Sequence, residues 1–190
     1  MTSEFALIDR ISRLFTTPEG VRVGVGDDCA VLDPGRFDLV TVDTLVEEVH
    51  FRKDWSTPEE IGWRSLAANL SDIAAMGGGP GAFFLSLALS SPLDGEWVLR
   101  LLEGMKEASR ELVPESFDVS LGGGDLTESR GPAVVTITLL GEASPAGPVL
   151  RKGAVPGDRI VVFTLHKRIG DIERLFAAPT RSITKIFKYN

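Results

Sequence analysis

The segment TPEEIGWRSLAANLSDIAAMGGGPGAFFLSLAL, residues 57–89, holds the sharpest change of secondary structure in the chain. Thr57 suits a helix N-cap, Pro58 the first helical position, and Glu60 completes a capping box. Trp63, Leu66, Leu70 and Ala74 recur at helical spacing as an apolar face. Gly77, Gly78 and Gly79 stop the helix near Met76, and residues 82–89 then read as an apolar strand. At 100° per residue, Ser65, Ala68, Asn69 and Asp72 gather on the opposite face. A solvated face more often carries Lys and Glu, so this small, nearly neutral face is expected to pack against something or to line a site.

Outward from this segment the pattern alternates. Residues 4–15 read as a short helix, 21–25 as a strand, 29–32 as extended chain, and 39–44 as a strand. Residues 95–112 form a second amphipathic helix, 117–121 a short strand ending in Gly122-Gly123-Gly124-Asp125, 133–140 a β-branched strand, and 159–164 another strand. Several strands follow one another through short turns. The expected class is therefore α+β, a mixed and mainly antiparallel sheet with helices on one face.

The 190 residues suit one substantial domain, or one domain and an incomplete second, and a 43% hydrophobic content supports a core. A formal charge of −7 argues against a general nucleic-acid surface. Cys29 is the single cysteine, which excludes an internal disulfide and a Cys-rich zinc site and suits a reducing, cytoplasmic setting. Neither a signal peptide nor an apolar run long enough for a bilayer is read, so no membrane is expected.

The chemistry lies in the carboxylates. Asp28 follows a strand break, Asp43 stands inside a strand that would ordinarily avoid Asp, and Asp125 follows three glycines. Asp72 lies near the negative end of a helix dipole, where a carboxylate is unfavourable by about 0.3–1 kcal/mol unless a cation accompanies it. Singly, each also reads as a turn or surface residue. Together they are expected to converge on one site of hard oxygen ligands, which suits Mg²⁺ bridging to phosphate. The glycines before Asp125 are expected to form a loop whose N–H groups can cradle an anion. Neither a Walker A sequence nor a protein-kinase motif set is present, and no GxSxG occurs.

The segments GVGDDCAVL, VTVDTLVEEVHF, SLAANLSDIAAMGGGP, LGGGDLT and LRKGAVPGDRIVV occur in that order. They resemble the N-terminal domain of the thiamine-monophosphate kinase family, in the superfamily of aminoimidazole ribonucleotide synthetase and selenophosphate synthetase. The resemblance spans about residues 4–162 and is specific in the pairing of DTLVEEVHF with NLSDIAAMG. It implies ATP-dependent phosphorylation of thiamine monophosphate to thiamine diphosphate by direct in-line transfer, with several Mg²⁺ ions. By position it implies that Asp28, Thr41, Asp43, Asp72 and Asp125 are magnesium ligands, with Val42 serving through its backbone. Gly124, Asp125 and Arg151 match ATP-contacting positions, and His50 matches a substrate-contacting one. No residue of the chain is assigned a covalent catalytic role. The resemblance also implies a homodimer formed through the N-terminal sheets. The alternatives are a related ATP-dependent enzyme with another acceptor and a non-catalytic dimerisation or nucleotide-binding module.

Two segments follow from this reading: residues 1–162 as an ATP/Mg²⁺-binding and dimerisation domain, and residues 163–190 as a divergent tail richer in Lys and Arg than in acid. The family pattern would continue into a second domain. A shifted reading frame or a shortened chain explains the departure after Val162, and the chain as given is expected to bind Mg²⁺–nucleotide weakly with little turnover.

Overall fold

The computed structural model describes residue 7 and residues 10–23, 31–32, 35–90, 94–149 and 155–156. Two short strands, β1 (Val21–Val23) and β2 (Val31–Leu32), pair antiparallel. The main sheet has four strands, β3 (Leu39–Val46), β4 (Gly79–Ser90), β5 (Ser120–Ser129) and β6 (Val134–Glu142), in the order β3-β6-β4-β5. β6 is antiparallel to both β3 and β4, and β5 is parallel to β4. Two helices, α1 (Pro58–Ala75) and α2 (Gly95–Leu112), complete the layer. The class is α+β, as expected. The expected N-terminal helix is shorter among the described residues: Leu7 and Arg10 to Ser12 are helical, and the chain turns at Arg13. The expected strand at 159–164 and the tail 163–190 lie outside the described residues.

α1 begins and ends as its residues dictate. Thr57 Oγ1 accepts from Glu60 N at 3.3 Å, and Glu60 Oε2 accepts from Thr57 N at 2.9 Å. At the other end Gly77, with φ +68°, takes the left-handed conformation that a side chain would oppose. Gly78 N then donates to Ile73 O at 3.1 Å and Gly77 N to Ala74 O at 3.0 Å, which is a Schellman closure. α2 starts at Asp94, whose carboxylate accepts from Glu96 N at 3.1 Å and Trp97 N at 3.3 Å.

The two helices cross at glycines. A Cβ on Gly62 would overlap Leu101 O, and one on Gly104 would overlap Glu59 O. Each helix thus receives the other's backbone. Beside the crossing, Arg100 Nε and Nη2 donate to the two oxygens of Glu59 at 2.6 and 2.9 Å. This pair holds the Glu59 carboxyl down from 4.5 to about 2. A depressed carboxylate stabilises the fold at any pH above its unfolded value and loses that contribution as pH falls toward the folded one. Acid melts should therefore show a small loss between pH 4.5 and about 2 that Glu59→Gln lacks. The pair is solvent-exposed, so the difference is small and should shrink further in high salt.

The helices cover one face of the sheet. Val135, Ile137 and Leu139 of β6, Phe83 and Leu87 of β4, and Leu66, Leu101 and Met105 of the helices are fully buried between the layers. Alternation carries the odd residues of β6 inward and Val134, Thr136, Thr138 and Leu140 to the other face. Among the described residues nothing packs over that face at β3, where Val40 and Val42 stand 66% and 56% exposed. Trp63, expected on the apolar face of α1, is only partly buried and donates its indole N–H to Glu111 Oε2 at 3.0 Å. The face of Ser65 and Asn69 is instead packed, with residual exposures of 2% and 0%.

Candidate functional site

The site begins where β3 passes beneath the last turns of α1. Strand alternation puts Thr41 and Asp43 on the helix-facing side of β3, and Val40 and Val42 on the open side. Asp72 reaches down from α1, and its Oδ2 accepts from Thr41 Oγ1 at 2.9 Å. The threonine proton is committed to the carboxylate, so both lone pairs of the hydroxyl remain directed elsewhere. Thr41 and Asp72 are thus joined at the β3–α1 seam, and Asp43 lies two residues along the same face of β3; all three are hard oxygen donors.

His50 stands beyond the top of the same strand. Residues 46–51 close on themselves: His50 N donates to Val46 O at 2.8 Å, Glu48 N to Phe51 O at 2.8 Å, and Glu48 holds φ 66°. A non-glycine residue in the left-handed region marks a turn held by its surroundings. Val46 N donates to His50 Nδ1 at 3.0 Å, so that nitrogen is the acceptor and the ring proton of the neutral form is on Nε2. The ring is exposed, and Arg64 Nη1 of α1 anchors the turn through His50 O at 2.8 Å. His50 therefore offers a donor to the outside, four residues beyond Val46 and away from the Thr41–Asp72 pair.

Gly124 and Asp125 are placed differently from the expectation. The glycine run is not a loop: Gly122, Gly123 and Gly124 lie within β5, and none of them has a positive φ. Their smallness serves close strand contact. A Cβ on Gly124 would overlap Leu85 O, and one on Gly122 would stand 2.9 Å from the Phe84 ring, next to the register shift at Phe83/Phe84. The expected anion-cradling loop is thus replaced by an edge strand. Gly124 pairs with Leu85, Leu85 with Ile137, and Ile137 with Asp43, which places Gly124 and Asp43 in one row across the sheet. Asp125 pairs with Ser86, which pairs with Thr136 and then Thr44. Three strand spacings separate the two ends of each row, roughly 14 Å. An apolar cavity of about 170 Å³ opens beside Gly123–Leu126, lined by Leu87, Val98, Leu102 and Ile11.

Thr41 and Asp72 are thus brought together, Asp43 shares the strand face of Thr41, His50 lies beyond the end of that strand, and Asp125 lies across the sheet. Asp28 and Arg151 lie outside the described residues. Among the described residues no three His, Cys, Asp or Glu side chains form a metal cluster. Sequence reasoning placed Asn69 on the right face of α1 but gave it no role. It is completely buried and stands three residues before Asp72 in α1.

Residues 26–143 match the family described as AIR synthase related protein, N-terminal domain. The thiamine-monophosphate kinase of Bacillus subtilis (strain 168) is 39% identical over 161 residues, 84% of this chain and 48% of that relative. The crystal structure of thiamine-monophosphate kinase from Stenotrophomonas maltophilia K279a aligns with a TM-score of 0.64 at 37% identity, covering 82% of this chain and 47% of that one. AaThiL complexed with AMPPCP and TMP aligns with a TM-score of 0.55 at 33% identity, covering 80% of this chain and 45% of that one. The chain spans about half the length of the curated relatives it matches, 48% in the first case. The matched segment contains the β3–α1 seam, the His50 turn and the whole four-stranded sheet. By that match, the chain belongs to the AIR synthase related family and carries its N-terminal domain.

Proposed function

We propose that the protein serves a thiamine-monophosphate kinase: the transfer of the γ-phosphoryl group of ATP to thiamine monophosphate, with this chain supplying the N-terminal part of the site. The observation that carries the reading is the seam of Thr41, Asp43 and Asp72, in a chain 39% identical to a kinase of that name. The relative named as complexed with AMPPCP and TMP supports a nucleotide and a thiamine phosphate as the two ligands. The donor set fits Mg²⁺, which takes oxygen ligands and keeps company with phosphates. Asp43 and Asp72, with Thr41 beside them, would hold one ion, and Asp28 and Asp125 would serve further ions of the several proposed. Mg²⁺, when bound, neutralises charge on the phosphate oxygens during transfer. Thr41 is oriented by Asp72, and the outward Nε2–H of His50 is free to meet an anionic or carbonyl oxygen of the acceptor. Gly124, Asp125, the Val42 backbone and Arg151 complete the proposed ATP and metal contacts.

A homodimer belongs to the same reading. The open sheet face, with Val40, Val42 and Leu140, would be covered by the same face of a second copy. A cytoplasmic location fits a kinase that draws on ATP, and among the described residues no helix is long and apolar enough to cross a membrane.

Equilibrium binding of AMPPCP to the chain, with and without Mg²⁺, tests the proposal. Affinity is expected to rise at least tenfold with the ion, and ADP release in a coupled assay is expected to depend on thiamine monophosphate wherever turnover occurs. Nucleotide binding that ignores Mg²⁺, or its absence in both conditions, would favour a non-catalytic module instead.

A further inference from the structure

We propose that the side-chain oxygen of Asn69 is a further ligand of the cation assigned above to Asp43 and Asp72. Asn69 is fully buried in α1. Its Nδ2 donates to Ser65 O at 3.0 Å. This bond settles the orientation of the amide, because the reverse orientation would set oxygen against a carbonyl oxygen. Oδ1 is then buried with no donor to meet it. The hydroxyl of Ser65, one turn earlier on the same face, donates to Gly62 O at 2.9 Å. Buried polar atoms are nearly always satisfied, so an acceptor left over at this depth points to a positive group that reaches it.

Position identifies that group. Asn69 lies three residues before Asp72, on the same flank of the helix. α1 runs opposite to β3: Arg64, early in the helix, meets His50 beyond the strand's end, whereas Asp72, late in the helix, meets Thr41. One step back from Asp72 to Asn69 rises roughly 4.5 Å along the helix. The step from Thr41 to Asp43 rises roughly 6.6 Å along the strand in the same direction. Asn69 is thereby brought close to the level of Asp43 along β3. Thr41 Oγ1, Asp43, Asp72 and Asn69 Oδ1 form an all-oxygen set with two charges and two neutral donors. The inference rests on the Mg²⁺ reading of the previous subsection.

Calorimetric titration of Mn²⁺ and Mg²⁺ into the protein, paired with melts in the absence of divalent ions, tests it. In Asn69→Leu, of similar volume, cation affinity should fall about tenfold. The ion-free melting temperature should hold or rise, because an unpaired acceptor has been removed. Asn69→Asp sets a charged oxygen at the same point. Its ion-free melting temperature should fall, and Mn²⁺ should restore it with an affinity at or above that of the native protein. If the native protein binds Mn²⁺ while both variants bind it with unchanged affinity, Asn69 is only a packing residue and the inference is overturned. If the native protein binds neither ion, the Mg²⁺ reading falls, and the inference with it. Should Asn69→Leu fail to fold, the Mn²⁺ rescue of Asn69→Asp still decides, since a merely structural site would gain a buried charge that no cation relieves.

Discussion

Gly104→Ala is expected to destabilise the protein by about 3 kcal/mol, the upper end of the usual cost of overpacking. The sign is opposite to that of an ordinary helix glycine, where alanine gains about 1 kcal/mol through propensity. The reason is the crossing of α1 and α2. The new Cβ would overlap Glu59 O, a backbone atom in the first turn of a capped helix, which cannot rotate away as a flexible side chain can. The helices must separate, and Ile61, Leu101 and Met105, all fully or almost fully buried, lose contact together. For a chain of this size the loss corresponds to a melting temperature lower by roughly 6–12 °C. Gly62→Ala should behave alike, because its Cβ would overlap Leu101 O from the other side. Gly131→Ala is the control: its nearest neighbour, Ser129 Oγ, would be 3.7 Å from the Cβ, and its effect should stay within about 0.5 kcal/mol. Thermal melts of the three variants check the set. Equal melting temperatures for Gly104→Ala and the native protein would mean that the helices do not cross at this distance.

Asp72→Asn is expected to separate stability from binding. The amide oxygen can still accept from Thr41 Oγ1, so the 2.9 Å bond between strand and helix survives. Removing a negative charge near the C-terminus of α1 relieves its interaction with the helix dipole, worth about 0.3–1 kcal/mol. The ion-free protein should thus melt at the same temperature or slightly higher. Mg²⁺-dependent affinity for AMPPCP should fall about 100-fold or more, beyond what loss of a supporting residue causes. Fluorescence-monitored melts and equilibrium nucleotide binding on the same preparation give both readings. A variant that binds Mg²⁺ and nucleotide as the native protein does would remove Asp72 from the site.

The elements easiest to read were those specified by local chemistry. The capping box at Thr57–Glu60 and the glycines after Met76 bracket α1 within a residue of its observed ends, because both act through atoms a few bonds apart. The apolar spacing of residues 95–112 gives a helix with its observed bounds, and the structure adds Asp94 as its N-cap. The glycine run misled for the converse reason. Alone, three glycines announce a break, and only the neighbouring strand shows why they are needed: β5 lies so close to β4 that Gly124 has no room for a Cβ. Of the site, Thr41 and Asp43 were readable as partners on one strand face, because alternation is local. The bond from Thr41 to Asp72 was not, since it joins residues 31 positions apart through a helix–strand packing that no short window contains.

The sequence by itself determined the class of the protein, the two helices, which residues of β3 share a face, and the family to which its motifs belong. These follow from periodicity, capping and residue identity, which are properties of neighbouring positions. The tertiary structure alone decided three further matters. It turned the strand face of Thr41 and Asp43 toward the helices and left the valines in the open. It set Asp125 three strands away from Asp43 through the order β3-β6-β4-β5. It buried Asn69 beside Asp72 with an unmet oxygen. Each depends on which surfaces the chain brings together over long separations, and burial and close contact are settled only when the layers have packed.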